Sequence, residues 1–154
     1  MSNTKIRPAT KADVTMIDNL ISEWTKPQWP AFQPENRAKT LAEALSDKKN
    51  HLILVCKDSA EILGVLHLIF YWDILLGARN CHLNFLLVKE GYHDKGIGSA
   101  LLSEAIRNAR KKGAAEMHVH TKFEDAVKFY RKIGFTDDGV WLELSLREKT
   151  DSTS

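Results

Sequence analysis

The sequence has few of the features that mark secreted, membrane or nucleic-acid-binding proteins. Its two cysteines, Cys56 and Cys81, are too few for a disulfide framework and lack metal-type spacing. No apolar run approaches the ~18 residues of a membrane span, and the first residues lack the apolar core of a signal peptide. A net charge of +2 is too small to indicate a nucleic-acid partner. These absences predict reduced, buried thiols and a soluble, cytoplasmic protein with neither a membrane nor a nucleic-acid partner.

The remaining composition is that of an ordinary globular chain. Of the 154 residues, 44% are hydrophobic and 27% are charged. A chain of this length and hydrophobic content can bury a core. We expect a single domain over residues 1–147, followed by a polar, disordered tail over residues 148–154.

Hydrophobic periodicity predicts helices and strands in a mixed order. The predicted strands cover residues 5–7, 51–57, 61–72, 80–88, 116–120 and 140–147, and the predicted helices cover residues 11–24, 35–45, 97–112 and 124–132. Thr10 is a candidate N-cap with Asp13 in the first turn. Gly64 suggests a bulge or a close backbone approach. Three consecutive strands predict an antiparallel meander, and the strand that follows the third helix can lie parallel to residues 80–88.

Residues 86–102 read L-L-V-K-E-G-Y-H-D-K-G-I-G-S-A-L-L and combine an apolar strand, a glycine-punctuated loop and an amphipathic helix. Glycines at a helix start let a ligand approach the backbone, and the unpaired N–H groups and helix dipole favour an anion. The alternative is a turn whose glycines only ease geometry. A dinucleotide fingerprint is disfavoured because Leu101 occupies the place of the third glycine, and no Walker lysine follows.

Two motifs in order resemble a known family. The pattern V-K-E-G-Y-H-D-K-G-I-G-S-A-L-L, followed by A-V-K-F-Y-R-K-I-G-F, resembles the GNAT superfamily of N-acetyltransferases over residues 7–146. The resemblance implies an α+β fold (an α/β mixed sheet), the acyl-CoA N-acyltransferase fold. Its central sheet is mostly antiparallel, with a parallel, splayed pair of strands at the cofactor site and about four flanking helices.

The resemblance also implies where acetyl-CoA binds. The backbone of Leu86, Leu87 and Val88 would pair with the pantetheine arm, and N–H groups near Leu86 and Leu87 would stabilise the oxyanion. The pyrophosphate would be held by the loop and helix start, comprising His93, Asp94, Lys95, Gly96, Ile97, Gly98 and Ser99. Two positions depart from the family pattern, because His93 replaces a glutamine or arginine and Phe123 replaces an asparagine.

Tyr130 matches the family tyrosine that protonates the departing thiolate, and it would also contact the cofactor. The alternative is a core aromatic on the stripe with Phe129. His82 is the candidate base, since period-two counting places it with Asn84, Leu86 and Val88; the alternative is a structural or surface histidine. His118 and His120 share a strand face but have no evident third ligand, so no metal is expected.

The expected function is direct transfer of acetyl from acetyl-CoA to a primary amine of a small molecule or peptide. Neither cysteine lies in the motifs, which argues against a covalent enzyme intermediate. The acceptor site is predicted from aromatic and acidic residues that suit a cationic amine, namely Trp24, Trp29, Phe32, Trp72 and Asp73. The rival from another class is a non-catalytic acyl-CoA-binding or regulatory module on the same fold. Folds of this kind commonly form dimers, so a homodimer is compatible with the sequence.

Overall fold

The computed structural model describes residues 3–28 and 35–147, which form two units, Met1–Val119 and His120–Ser154. The predicted acceptor residues Trp29 and Phe32, and the predicted tail at 148–154, lie outside the described residues. Within the described ranges, no helix combines the length and apolarity that a bilayer span requires.

A five-stranded sheet with its strands in chain order organises the first unit. Its strands are β1 (Lys5–Pro8), β2 (His51–Lys57), β3 (Ile62–Asp73), β4 (Ala78–Val88) and β5 (Ala114–Val119). Neighbouring strands are antiparallel except β4 and β5, which are parallel. The predicted meander and parallel pair are therefore confirmed. The helices of this unit are α1 (Val14–Gln28), which follows a 3-10 turn at Lys11–Asp13, α2 (Arg37–Ser46) and α3 (Ile97–Lys111), and the second unit holds α4 (Glu124–Ile133).

The two faces of the sheet bury different helices. Helices α1 and α2 pack on one face around a core that includes Ile17, Leu20, Leu41, Ile53, Val55, Val65 and Leu87. Helix α3 packs on the other face, where its buried stripe is Ile97, Leu101, Leu102, Ala105 and Ala109. We call these the α1/α2 face and the α3 face. Alternation along each strand decides which side chains meet which helices.

Gly64 lies where α3 comes closest to the sheet. A Cβ at this position would stand 2.8 Å from Ile97 Cγ2 and 2.9 Å from Leu101 Cδ1. The β2–β3 register also shifts here, because Cys56 pairs with Gly64 while Lys57 pairs with Ile62. The sequence prediction of a bulge or a close approach at Gly64 is thus confirmed on both counts.

We expect Gly64→Ala to lower the free energy of unfolding by about 2 kcal/mol, because the new methyl group overpacks the α3 contact. Gly64 does not have a positive φ, so the cost comes from contacts and not from backbone strain. Urea denaturation measures it. In an Ile97→Ala background the same substitution should cost clearly less, since one of the two clashing side chains is gone. Equal costs in both backgrounds would contradict the packing explanation.

The 3-10 turn that leads into α1 has Thr10 as its N-cap and Asp13 in its first turn, as the sequence predicted. The Asp13 carboxylate accepts hydrogen bonds from the Thr10 backbone N–H at 2.8 Å and from the terminal Nη1 and Nη2 nitrogens of Arg7 at 2.7 and 2.9 Å. These bonds, the Arg7 pair foremost, lower the pKa of Asp13 to about 2 although the side chain is buried. Helix α1 then continues to Gln28, beyond the predicted end near Trp24. Pro27 lies in its last turn, where its missing N–H removes a single helical hydrogen bond.

Residues 140–147 differ from the sequence prediction of a final half-buried strand. They form no strand in the structure, and Val140, Leu142, Leu144 and Leu146 are between 81% and 90% exposed. The alternating pattern favours an extended conformation, but a strand also requires a hydrogen-bonded neighbour, which the pattern does not specify. The strand prediction was wrong on this point.

Both cysteines behave as the sequence predicted. Cys56 and Cys81 are buried free thiols in β2 and β4. Burial raises the pKa of both, that of Cys81 to about 11. A thiol of such high pKa is a poor nucleophile at neutral pH.

Candidate active site

The parallel pair β4–β5 stops pairing well before β4 ends. The last paired residues are Leu83 and Val119, whereas β4 continues to Val88 and remains paired with β3 as far as Gly64. No described strand pairs with the β5 side of β4 beyond Leu83. We call the β5 side of residues 84–88 the free edge, and it includes the predicted pantetheine-binding residues Leu86, Leu87 and Val88.

The loop after the free edge presents backbone N–H groups. Gly91, Asp94 and Gly96 adopt positive φ angles of 87°, 62° and 80°. Gly96 caps α3 without a side-chain hydrogen bond, and the first helical bond runs from the Ala100 N–H to the Gly96 carbonyl at 3.0 Å. The amides of the first helical turn therefore lack intrahelical acceptors. Of the predicted pyrophosphate residues, Ile97 is buried and Gly98 half-buried, and the exposed ones are His93, Asp94, Lys95, Gly96 and Ser99.

A bulge in β4 corrects the sequence-based assignment of faces. His67 pairs with Phe85 and Leu68 pairs with Leu83, which leaves Asn84 as an extra residue without a partner. A bulge shifts the alternation of side chains by one residue. His82 therefore lies on the α1/α2 face with its partner Ile69, whereas Leu86 and Val88 lie on the α3 face. The prediction that His82 and Asn84 share a face with Leu86 and Val88 was wrong for this reason.

Four histidines from neighbouring strands lie on the α1/α2 face, and we call them the histidine face. They are His51 in β2, His67 in β3, His82 in β4 and His118 in β5. His67 Nε2 lies 2.9 Å from His51 Nδ1 with the rings stacked, and His67 Nδ1 lies 3.2 Å from Asn84 Nδ2. Burial, and then the charges of His51 and His82, lower the pKa of His67 to about 4. His67 is therefore neutral at physiological pH.

A second hydrogen-bonded group adjoins the histidine face at β5. The Tyr71 hydroxyl lies 3.1 Å from His118 Nδ1, and His118 Nε2 lies 3.8 Å from Glu116 Oε1. His118 is the β5 partner of His82. Burial foremost raises the pKa of Tyr71. The candidate base His82 therefore has the titratable His118 as its strand neighbour, and its charge also acts on His67.

The predicted acceptor residues do not gather where β4 and β5 separate. Trp24 packs against the α1/α2 core, and the 69%-exposed Trp72 lies under the Arg79 guanidinium at 5.7 Å. Asp73 accepts a hydrogen bond from Asn80 Nδ2 at 3.1 Å. Its partner Ala78 precedes Asn84 by six residues, about 20 Å at the usual strand rise. Trp72 and Asp73 therefore lie at the opposite end of β4 from the free edge.

The second unit holds Tyr130 on the buried side of α4. Its ring contacts Phe129 and Phe135 edge-on, with ring centroids 5.3 and 5.4 Å away, and Gly134 ends the helix as predicted. Burial raises the pKa of Tyr130 to about 12, so the phenol stays protonated at neutral pH. No described residue of this unit hydrogen-bonds its hydroxyl. The side chain is therefore a packed aromatic whose hydroxyl has no hydrogen-bond partner among the described residues of its own unit.

Comparison with known proteins decides the family. The model of the acetyltransferase (GNAT) family matches residues 19–135. The chain belongs to this family. An uncharacterized N-acetyltransferase of Mycobacterium bovis is 30% identical over 122 residues, which are 72% of this chain and 74% of that protein. An uncharacterized N-acetyltransferase of Methanocaldococcus jannaschii is 27% identical over 99 residues, 60% of this chain, and the match spans 44% of that longer protein.

Solved structures support the same fold. An aminoglycoside acetyltransferase from an uncultured soil metagenomic sample, in complex with sisomicin, has a TM-score of 0.78 at 19% identity and covers 96% of this chain and 98% of its own. The GNAT fold predicted from the two motifs is therefore confirmed, and family membership supports acyltransferase activity. His51, His67 and Tyr71 were missed by sequence reasoning, because only strand register brings them near His82.

Proposed function

We propose that this GNAT protein transfers the acetyl group of acetyl-CoA to a primary amine of a small molecule or peptide, by direct attack in a ternary complex. The observation that carries the proposal is continuity between two complementary features. The free edge of β4 leads directly into the loop whose α3 amides have no side-chain cap. Acetyl-CoA has an extended, amide-containing pantetheine arm followed by a pyrophosphate. The arm suits the unpaired strand edge, and the pyrophosphate suits the anion site that follows it.

The residues present fit acetyl-CoA. The backbone of Leu86, Leu87 and Val88 would hold the pantetheine arm as an added strand. Most of the pyrophosphate binding would come from backbone amides, because His93 replaces the longer donor of the family pattern. Lys95, which is exposed in the same loop, adds a cation. When bound, the cofactor supplies an activated thioester.

The reaction needs two proton movements around this thioester. The neutral amine attacks the acetyl carbonyl carbon, a C–N bond forms, and the C–S bond breaks. Backbone N–H groups near Leu86 and Leu87 would stabilise the oxyanion. His82 would accept the proton that the amine loses, and Tyr130 would protonate the departing thiolate. The raised pKa of Cys81 disfavours a route through an acetylated cysteine.

The class of acceptor amine can be identified by assaying a panel of amines that differ in shape. A structural neighbour is an aminoglycoside acetyltransferase in complex with sisomicin, so sisomicin belongs in the panel. Spermidine, lysine amide and an alanine-initiated tripeptide represent polyamines, amino-acid derivatives and protein N-termini. Release of free thiol from acetyl-CoA measures turnover, and thermal shift with CoA measures binding. Turnover with at least one amine supports the proposal. Stabilisation by CoA without any turnover would favour the non-catalytic module, and neither effect would count against both functions.

We expect Gly96→Val to weaken CoA binding about tenfold in calorimetric titration. A β-branched residue at φ 80° distorts the backbone whose amides would hold the pyrophosphate. The matched control is Gly77→Val in the β3–β4 turn, where φ is 62° and a Cβ likewise meets no atom within 4 Å. The control should lose comparable stability but keep its CoA affinity. Intact CoA affinity in Gly96→Val would refute the anion-site assignment.

A further inference from the structure

Asn84 occupies a distinctive position at the point where β4 and β5 separate. It follows Leu83, the last β4 residue with a β5 partner, and it is the extra residue of the β4 bulge. Its side chain is exposed. Bulges commonly re-aim a side chain toward a site, because the extra residue leaves the regular alternation. Asn84 therefore presents a carboxamide at the start of the free edge.

The carboxamide contacts the buried His67, with its Nδ2 atom toward the histidine ring. Asn84 Nδ2 can only donate, so His67 Nδ1 accepts its hydrogen bond. A neutral imidazole has one N–H, which must then sit on His67 Nε2 and point to His51 Nδ1. His67 is only 8% exposed, and its burial favours this neutral form. The resulting direction of donation is Asn84 to His67 to His51.

The same polarity leaves Asn84 Oδ1 at the outer end of the chain of hydrogen bonds. No described residue of the first unit donates to this oxygen. The opposite arrangement, with Oδ1 accepting from a His67 Nδ1–H, would leave Nδ2 outermost and would require His51 Nδ1 to donate to His67 Nε2. With Asn84 Nδ2 toward His67, as the structure places it, the atom available to a ligand is an acceptor and not a donor. Such an atom selects a ligand that donates an N–H or O–H.

We propose that Asn84 Oδ1 binds an N–H of the acceptor amine, and that His67 and His51 are positioning residues that fix the carboxamide for this contact. The inference rests on the proposed acetyl transfer and adds the residue that orients the nucleophile. A neutral primary amine held by one N–H keeps its lone pair free to attack, and it loses a proton as the C–N bond forms. His82 lies two residues before Asn84 on the same face, where it can take that proton. Asn84 would therefore orient the amine without itself acting as a base.

The test uses steady-state kinetics on the full chain with the best amine of the panel above. We expect Asn84→Ala to raise KM for the amine about tenfold, as the loss of one hydrogen bond to a ligand does. KM for acetyl-CoA should stay within twofold. The matched control is Asn108→Ala on α3, where the side chain bonds only within its own helix at Glu104. This control should leave both KM values unchanged.

The positioning role of His67 is tested by a double-mutant cycle and by rescue. His67→Leu should raise KM for the amine in the wild-type background but add nothing in the Asn84→Ala background. His67→Gln, which retains an acceptor for Asn84 and a donor for His51, should restore KM to within about threefold of wild type. An unchanged amine KM in Asn84→Ala, or an equal effect of His67→Leu in both backgrounds, overturns the assignment. Absence of turnover by the wild-type chain with every amine would instead overturn the proposed function itself.

Discussion

Tyr130→Phe is expected to lower kcat about 100-fold while KM for acetyl-CoA stays within twofold. A positioned general acid typically contributes a factor of this size or more, and phenylalanine cannot protonate the thiolate. Because burial raises the pKa of Tyr130 to about 12, the wild-type hydroxyl holds its proton throughout the neutral range. Initial rates of thiol release at saturating amine and varied acetyl-CoA measure both constants.

The substitution is a clean test because it removes only the hydroxyl. The edge-on contacts of the ring with Phe129 and Phe135 remain available to phenylalanine, so the melting temperature should change little. Tyr92→Phe is the matched control, since its hydroxyl lies 3.5 Å from Glu61 and has no assigned role in the reaction. It should keep wild-type kcat. Unchanged turnover in Tyr130→Phe would show that Tyr130 is only a packed core aromatic and not the general acid.

Acidification is expected to remove about 3 kcal/mol of stability through His67 alone. Its pKa falls from 6.5 in the unfolded chain to about 4 in the native protein, and each unit corresponds to about 1.4 kcal/mol. Below pH 6.5 the His67 side chain binds a proton in the unfolded chain but not in the native state, so unfolding becomes more favourable. The contribution is fully present above pH 6.5 and is lost as the pH falls through 4. Urea titrations at several pH values between 7 and 4 measure it.

His67→Gln should flatten this dependence, because glutamine does not titrate. Its stability at pH 7 and at pH 4 should differ by about 3 kcal/mol less than the wild-type difference. His93→Gln, which removes an exposed loop histidine, is the control and should retain the wild-type slope. The buried Asp13 does not interfere, because its pKa near 2 places its own loss of stability below pH 4. An identical slope in wild type and His67→Gln would show that His67 does not carry the effect.

Elements with a strong internal period were predictable from the sequence. The meander from β2 to β4 and the helix α3 follow from local alternation and from a helical apolar stripe, which need no knowledge of distant residues. The Gly64 contact was also foreseen, since a glycine inside a strand marks a place where other atoms come close. Thr10 and Asp13 likewise form their cap from residues three apart. In each case the pattern that supports the prediction lies within a short stretch of chain.

The wrong sequence predictions concern strands whose register or existence depends on a neighbouring strand. A single unpaired residue, Asn84, reversed the faces expected for Leu86 and Val88, and nothing in the local sequence marks that bulge. The alternation of residues 140–147 predicted a strand, but pairing needs a neighbour that local pattern does not specify.

The sequence by itself predicted membership of the GNAT family, which the match of the family model then confirmed. The glycine loop and the motif around Tyr130, which carry the resemblance, are contiguous stretches that can be recognised without knowledge of the fold. Only the tertiary structure decided how His51, His67, His82 and Asn84 combine. These side chains come from three strands, and their meeting depends on the register between strands, which is fixed by pairing over the whole sheet. The histidine face is therefore a property of the folded sheet and not of any one segment.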